Sequence, residues 1–126
     1  LYVSDSRLKF ALCAAGQVAT TTSDEPLAAG DHVWGVTCRP RPDGVDYELT
    51  CDDTQIGSSS THILMPLVFQ HGGTRLRLGY DVGLPVVDDY EPPFEWSGRI
   101  HDLVVEAMAP TPMMTLESMV DALRND

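Results

Sequence analysis

In the stretch "GYDVGLPVVDDYEPPFEWSGRI", Gly79 to Ile100, the carboxylates Asp81, Asp88, Asp89 and Glu91 stand among Tyr90, Phe94 and Trp96. Several hard oxygens on one loop are what calcium requires. An aromatic ring with a polar edge is a surface on which a sugar can rest. Asp81, Asp88, Asp89, Tyr90 and Trp96 are therefore the candidate ligand-binding residues. The same composition also makes a firmly anchored loop. Asp accepts backbone N–H bonds in turns, Pro85, Pro92 and Pro93 narrow the unfolded ensemble, and the aromatics supply buried area.

Other chemistries find less support. A nucleophilic triad needs a Ser or Cys activated by a His that an acid orients. "SSSTH", Ser58 to His62, places serines near a histidine, but in what reads as a solvated polar loop. There is no G-x-S-x-G elbow. HExxH and CxxC are both absent, and Cys13, Cys38 and Cys51 are odd in number and widely spaced, which speaks against a disulfide framework and against zinc. No stretch has EF-hand spacing, so Asp52 and Asp53, like Asp88 and Asp89, read first as turn residues. Glu48 and Glu106 fall on the polar faces of alternating segments, with no E-x-D-x-x-E arrangement for glycoside hydrolysis.

The elements that must position these residues read mostly as strands. "RLKFALCAA", Arg7 to Ala15, alternates Leu8, Phe10 and Leu12 with Arg7 and Lys9, and "QVATTTS" follows after Gly16. "HVWGVTC", His32 to Cys38, and "VDYELTC", Val45 to Cys51, flank "RPRPDG", whose Asp-Gly is a hairpin signal. The second segment sets Val45, Tyr47, Leu49 and Cys51 on one face and Asp46, Glu48 and Thr50 on the other, so it predicts a half-buried antiparallel strand paired with the first. Past Asp52, a short strand around Gln55 and Ile56 and then a polar loop are expected. "ILMPLVFQ", Ile63 to Gln70, reads as a strand buried on both faces and disturbed at Pro66, and "HGG", at His71, turns the chain. "TRLRLGYD", Thr74 to Asp81, predicts a strand with Leu76, Leu78 and Tyr80 inward, and "GRIHDLVVEAM", Gly98 to Met108, predicts the last long one. In the tail, Leu116, Met119, Val120 and Leu123 make one helical stripe that Thr115 can cap. The expected fold is an all-β antiparallel sandwich of jelly-roll type over residues 1–110, with a short C-terminal amphipathic helix in residues 111–126.

Composition narrows the partners. The chain has 126 residues and a net charge of −11. That length suits one domain with a core of its own. Such a charge, with no basic run, repels phosphate backbones and anionic bilayers, so neither nucleic acid nor membrane is an expected partner. No apolar run reaches the length of a spanning helix. The cysteines lie in apolar, strand-like stretches and are expected to be buried free thiols, which leans towards a reducing, cytoplasmic compartment. The chain begins at Leu1, as a piece of a longer protein would.

The segment "LGYDVGLPVVDDYEPPFEWSGRIHDLVVEA", Leu78 to Ala107, resembles the close of the large bacterial arylsulfatases, where the pattern runs G-x-D-x-G-x-P-V-x-x-D-Y-x-x-P-F-x-F-x-G-x-I before an alternating strand. Gly79, Asp81, Gly83, Pro85, Val86, Asp89, Tyr90, Pro93, Phe94, Gly98 and Ile100 match it, with Trp96 in place of Phe. Upstream, Leu27, Gly30 and His32, then Leu49, Asp52 and Gly57, resemble the same family, with Cys51-Asp52-Asp53 where Val-Asp-Gly is usual. "CRPRP", Cys38 to Pro42, comes near the sulfatase motif C-x-P-x-R but fails it, since position 42 is Pro and Arg41 stands one residue early. The resemblance implies a non-catalytic C-terminal accessory domain with a concanavalin- or laminin-G-like sandwich. Its partner would be the catalytic domain of the same parent chain, a sulfuric ester hydrolase using a divalent metal such as calcium. No catalytic residue and no cofactor fall within these residues. The alternative expectation is a carbohydrate-binding module, with or without calcium.

Overall fold

The computed structural model describes residues 1–14, 16–63 and 77–106. These residues form eight strands in three antiparallel sheets, with no helix among them. The first sheet joins β1 (Tyr2–Ser4), β2 (Arg7–Ala14) and β3 (Gln17–Thr22) in chain order, and the second joins β4 (Trp34–Arg41), β5 (Gly44–Cys51) and β6 (Thr54–Thr61). A two-residue ladder joins β7 (Tyr80–Asp81) to β8 (Phe94–Glu95). This all-β arrangement is consistent with a β-sandwich-like class. No described helix is long and apolar enough to cross a membrane.

Turn chemistry explains the hairpins. The β1–β2 link is Asp5-Ser6, with φ of 52° and 60°, and the β5–β6 link is Asp52-Asp53, with φ of 48° and 62°. Two successive positive φ values give the mirror-image turn whose twist matches paired strands, and Asp tolerates it better than most residues. Between β4 and β5 the turning residues are Pro42 and Asp43, with Arg41 paired to Gly44. The Asp-Gly signal thus marks the correct hairpin, with the turn one residue earlier. Gly44 is required by crowding, because a Cβ there would lie 1.7 Å from the Thr61 carbonyl oxygen.

The central strand β5 shows the period-two reading from Val45 to Leu49, but not at Cys51, which follows a register shift against β6 between Leu49 and Thr50. Val45, Tyr47 and Leu49 are buried, while on the other face Arg39 pairs with Glu48 and Arg41 with Asp46. Leu8 of the first sheet joins this core, and Phe10 stacks on Tyr47 at 5.3 Å between ring centroids. The two sheets approach closely at β6. Asp24 N–H donates to the Ile56 carbonyl at 2.6 Å, and a Cβ on Gly57 would lie 2.6 Å from the Thr22 carbonyl oxygen.

Several expectations are corrected. Ser58 to Thr61 form strand, because their backbone completes the ladder with β5 and three of the four hydroxyls find partners: Ser60 donates to Asp46 at 2.6 Å, Ser59 bonds Thr21, and Thr61 accepts the Ile63 N–H. A small polar run resembles a loop in composition, yet the neighbouring strand decides its backbone. The segment at 98–106 is not strand, and Leu103, Val104 and Val105 are 46%, 72% and 77% exposed. Apolar, β-branched residues without a paired neighbour gain neither ladder bonds nor packing. Of residues 77–81 only Tyr80 and Asp81 pair, and Leu78 and Tyr80, expected inward, are about half exposed. The thiols are not buried: Cys13 is exposed, and Cys38 and Cys51 are half-buried. Cys13 lies across the sheet from the Leu8 face of β2. Of the strand expected over Ile63 to Gln70, Ile63 is buried but outside any strand, and 64–70, the turn at His71, Leu76 and the terminal helix with its stripe at 116–123 lie outside the described residues.

Candidate functional site

The acidic loop is closed at its base by the β7–β8 ladder and by Trp96 N–H donating to the Gly79 carbonyl at 2.8 Å. Asp81, on β7, turns inward along the loop. Its Oδ1 accepts the Val82 N–H at 2.8 Å and its Oδ2 accepts the Tyr90 hydroxyl at 2.8 Å. Arg77 donates to the Val82 carbonyl at 2.9 Å. The Tyr90 ring sits between Tyr2, at 5.2 Å, and Phe94, at 4.9 Å. Burial, then the hydrogen bond to Asp81, push the Tyr90 hydroxyl pKa up.

Asp89 leaves the loop in another direction. It accepts the Tyr2 hydroxyl at 2.9 Å and the Lys9 ammonium at 2.8 Å, which ties the loop to β1 and β2. Burial pushes its carboxyl up, but the bonds from Lys9 and Tyr2 outweigh that and hold it below its ordinary value. Trp96 meets Trp34 of β4 edge-on at 5.5 Å and remains 36% exposed. Asp88 and Glu91 face solvent. Of the five residues singled out in the sequence, the fold therefore brings Asp81 and Tyr90 together, sends Asp89 to the first sheet and Trp96 to the second, and leaves Asp88 outside. Their oxygens do not converge on one ion.

The other proposed pairs stay apart. The His62 ring is exposed beside Asp43, while Ser59 and Ser60 bond Thr21 and Asp46. Glu48 is held by Arg39 and Glu106 is exposed on the segment after β8.

A different constellation lies where β4 begins and β5 ends. The side-chain donor atoms of His32, Cys51 and Asp52 lie within 4.8 Å of one another, the one grouping of three such residues among those described. Asp52 is fixed from both sides, since its N–H donates to the Val33 carbonyl at 2.8 Å and its Oδ1 accepts the Val33 N–H at 2.9 Å. Oδ2 is then left to face His32 Nδ1 at 2.7 Å. The Val33 N–H, then His32, hold the Asp52 carboxyl below its ordinary value. Burial, then the Asp52 charge, push the Cys51 thiol up, and Trp34 is its partner across the ladder. With Nδ1 turned to the carboxylate and the thiol pKa raised, the trio is not a nucleophile with its base. The sequence did hold a signal for it. Counting pairs back from the β4–β5 turn sets Trp34 opposite Cys51 and brings His32 beside Asp52, 20 residues away.

The fold and this geometry define an all-β domain whose acidic loop is tied to two sheets. Comparison with protein-family models, with characterised proteins and with solved structures finds no match in any of the three.

Proposed function

We propose that the chain is a non-catalytic C-terminal accessory domain of an arylsulfatase-like sulfuric ester hydrolase, a concanavalin- or laminin-G-like jelly roll that stabilises the catalytic domain or shapes its entrance. The observation that carries this reading is the way the loop at 79–100, which bears the resemblance, spends its functional groups. Asp81, Asp89 and Tyr90 hold one another and the first sheet, so the loop acts as a brace. The partner is the catalytic domain of the same parent chain, and the exposed side chains of Leu84, Val104 and Val105 offer it apolar surface. The divalent metal of such a parent belongs to that catalytic domain.

The test has two parts. The purified chain should not turn over a chromogenic aryl sulfate, and measurable hydrolysis would refute the accessory role. The native protein should have the mass of several hundred further residues, with C-x-P-x-R in the reading frame upstream of Leu1. A native protein consisting of this domain alone would end the sulfatase reading.

A second reading, a carbohydrate-binding module, draws on the Trp34–Trp96 pair and the exposed face of Trp96. Tryptophan fluorescence titrated with sugars, with and without calcium, decides it: quenching that is lost in Trp96→Ala supports it, and an unchanged spectrum removes it.

A further inference from the structure

We propose that His32, Cys51 and Asp52 form a binding site for a zinc-class divalent ion at the β5–β6 turn. The inference is independent of the accessory role above. It rests first on the donor set. One imidazole nitrogen, one sulfur and one carboxylate oxygen are the ligands zinc takes, whereas calcium and magnesium prefer oxygen alone. Three protein ligands leave the fourth tetrahedral position to water or to an exogenous group.

Geometry is the second support. The donor atoms lie within 4.8 Å of one another, with Cys51 Sγ 3.8 Å from Asp52 Oδ2. On a tetrahedral ion with bonds of about 2.0 Å to nitrogen and oxygen and about 2.3 Å to sulfur, such donors stand roughly 3.3–3.6 Å apart. Closing the Cys51–Asp52 distance and widening the His32–Asp52 distance of 2.7 Å each take a fraction of an ångström, and the Cys51–His32 pair, within 4.8 Å, closes by about 1 Å at most. The carboxylate needs no reorganisation, because the Val33 N–H already holds Oδ1 and leaves Oδ2 directed at the imidazole.

The third support is the histidine ring itself. Its Nε2 is buried without a protein partner, against Gly30, so Nδ1 is the nitrogen turned to the cluster. The ion would displace the proton between Nδ1 and Asp52, which moves to Nε2 as the neutral imidazole's one N–H, and the thiol proton is released to solvent. A net charge of −11 raises the local concentration of any cation.

The test uses the full chain with reduced thiols, titrated with zinc chloride by calorimetry and with cobalt chloride by absorbance. One zinc per chain and a thiolate-to-cobalt charge-transfer band are expected. Cys51→Ser should abolish the band, and His32→Gln and Asp52→Asn should each weaken zinc binding about tenfold or more. Asp52→Asn retains the oxygen that accepts the Val33 N–H, and His32 lies outside the ladder, so circular dichroism should show both variants folded. Cys13→Ser and Cys38→Ser should keep the band. No band in the wild-type chain, or a band that survives Cys51→Ser, would overturn the proposal.

Discussion

The residues from 2 to 61 and those from 77 to 106 have similar residue types and opposite outcomes. The first region forms two three-stranded sheets around Leu8, Val45, Tyr47 and Leu49. The second forms only the two-residue ladder between β7 and β8, and Leu84, Val104 and Val105 stay in solvent. Alternation and β-branching are present in both. The difference is that every strand of the first region has a neighbour placed by a two-residue hairpin or by Gly16, whereas Tyr80 and Phe94 are separated by a proline-rich loop. A strand is stabilised by its cross-strand partners, so short connections convert pattern into sheet and long ones do not. The second region is instead held by point contacts, with Asp89 tied to Tyr2 and Lys9, and Trp96 resting on Trp34.

That contrast can be broken most forcefully from the first region. Leu49→Ala removes a fully buried side chain at the meeting of the sheets and should lower stability by about 3 kcal/mol, read from urea denaturation. A loss below about 1 kcal/mol would mean that the two sheets are not the main core.

A smaller effect is expected at the tether between regions. Asp89→Ala should cost about 1 kcal/mol, because the carboxylate is partly exposed and its ion pair is screened. Amide exchange along 82–93 should rise while β5 stays protected. The tether also has a pH window. Asp89 titrates below its ordinary value when folded, so its contribution is present above about pH 4 and is lost as pH falls through the folded value. Lys9 is raised, chiefly by its bond to Asp89, and Tyr2 is raised by burial and then by Asp89. Their contributions are complete below about pH 10 and are lost as pH rises through the folded values. Asp89→Ala should flatten both edges of the wild-type stability profile, and unchanged edges would show that other groups set them.

The least effect belongs to the exposed segment after β8. Val104→Ser and Val105→Ser should each change the stability of the isolated chain by less than about 0.5 kcal/mol. A larger loss would show that this segment packs within the chain and is not free to meet a partner.

Legibility in the sequence follows the same division. β5 was readable from Val45 to Leu49, since period two with one apolar face has a single meaning when the strand is central. The β4–β5 hairpin was readable to within one residue, through Pro42, Asp43 and Gly44. Ser58 to Thr61 were not, because a polar edge strand takes its backbone from its neighbour. The acidic loop was readable as a unit, but the direction of each carboxylate was not: Asp81 and Asp89 are separated by a few residues and serve different anchors. The cysteines misled, because an apolar flank does not say which face of a strand a thiol occupies.

By itself, then, the sequence determined the all-β character of the described residues, their central strand and the hairpin between β4 and β5. These follow from local rules of backbone angle and side-chain alternation. Only the tertiary structure decided that Asp89 reaches Tyr2 and Lys9, that Trp96 meets Trp34, and that His32 stands beside Cys51 and Asp52. Each of those contacts joins residues far apart in the chain. Such contacts depend on strand register and on which sheet a loop crosses, and no local preference encodes either.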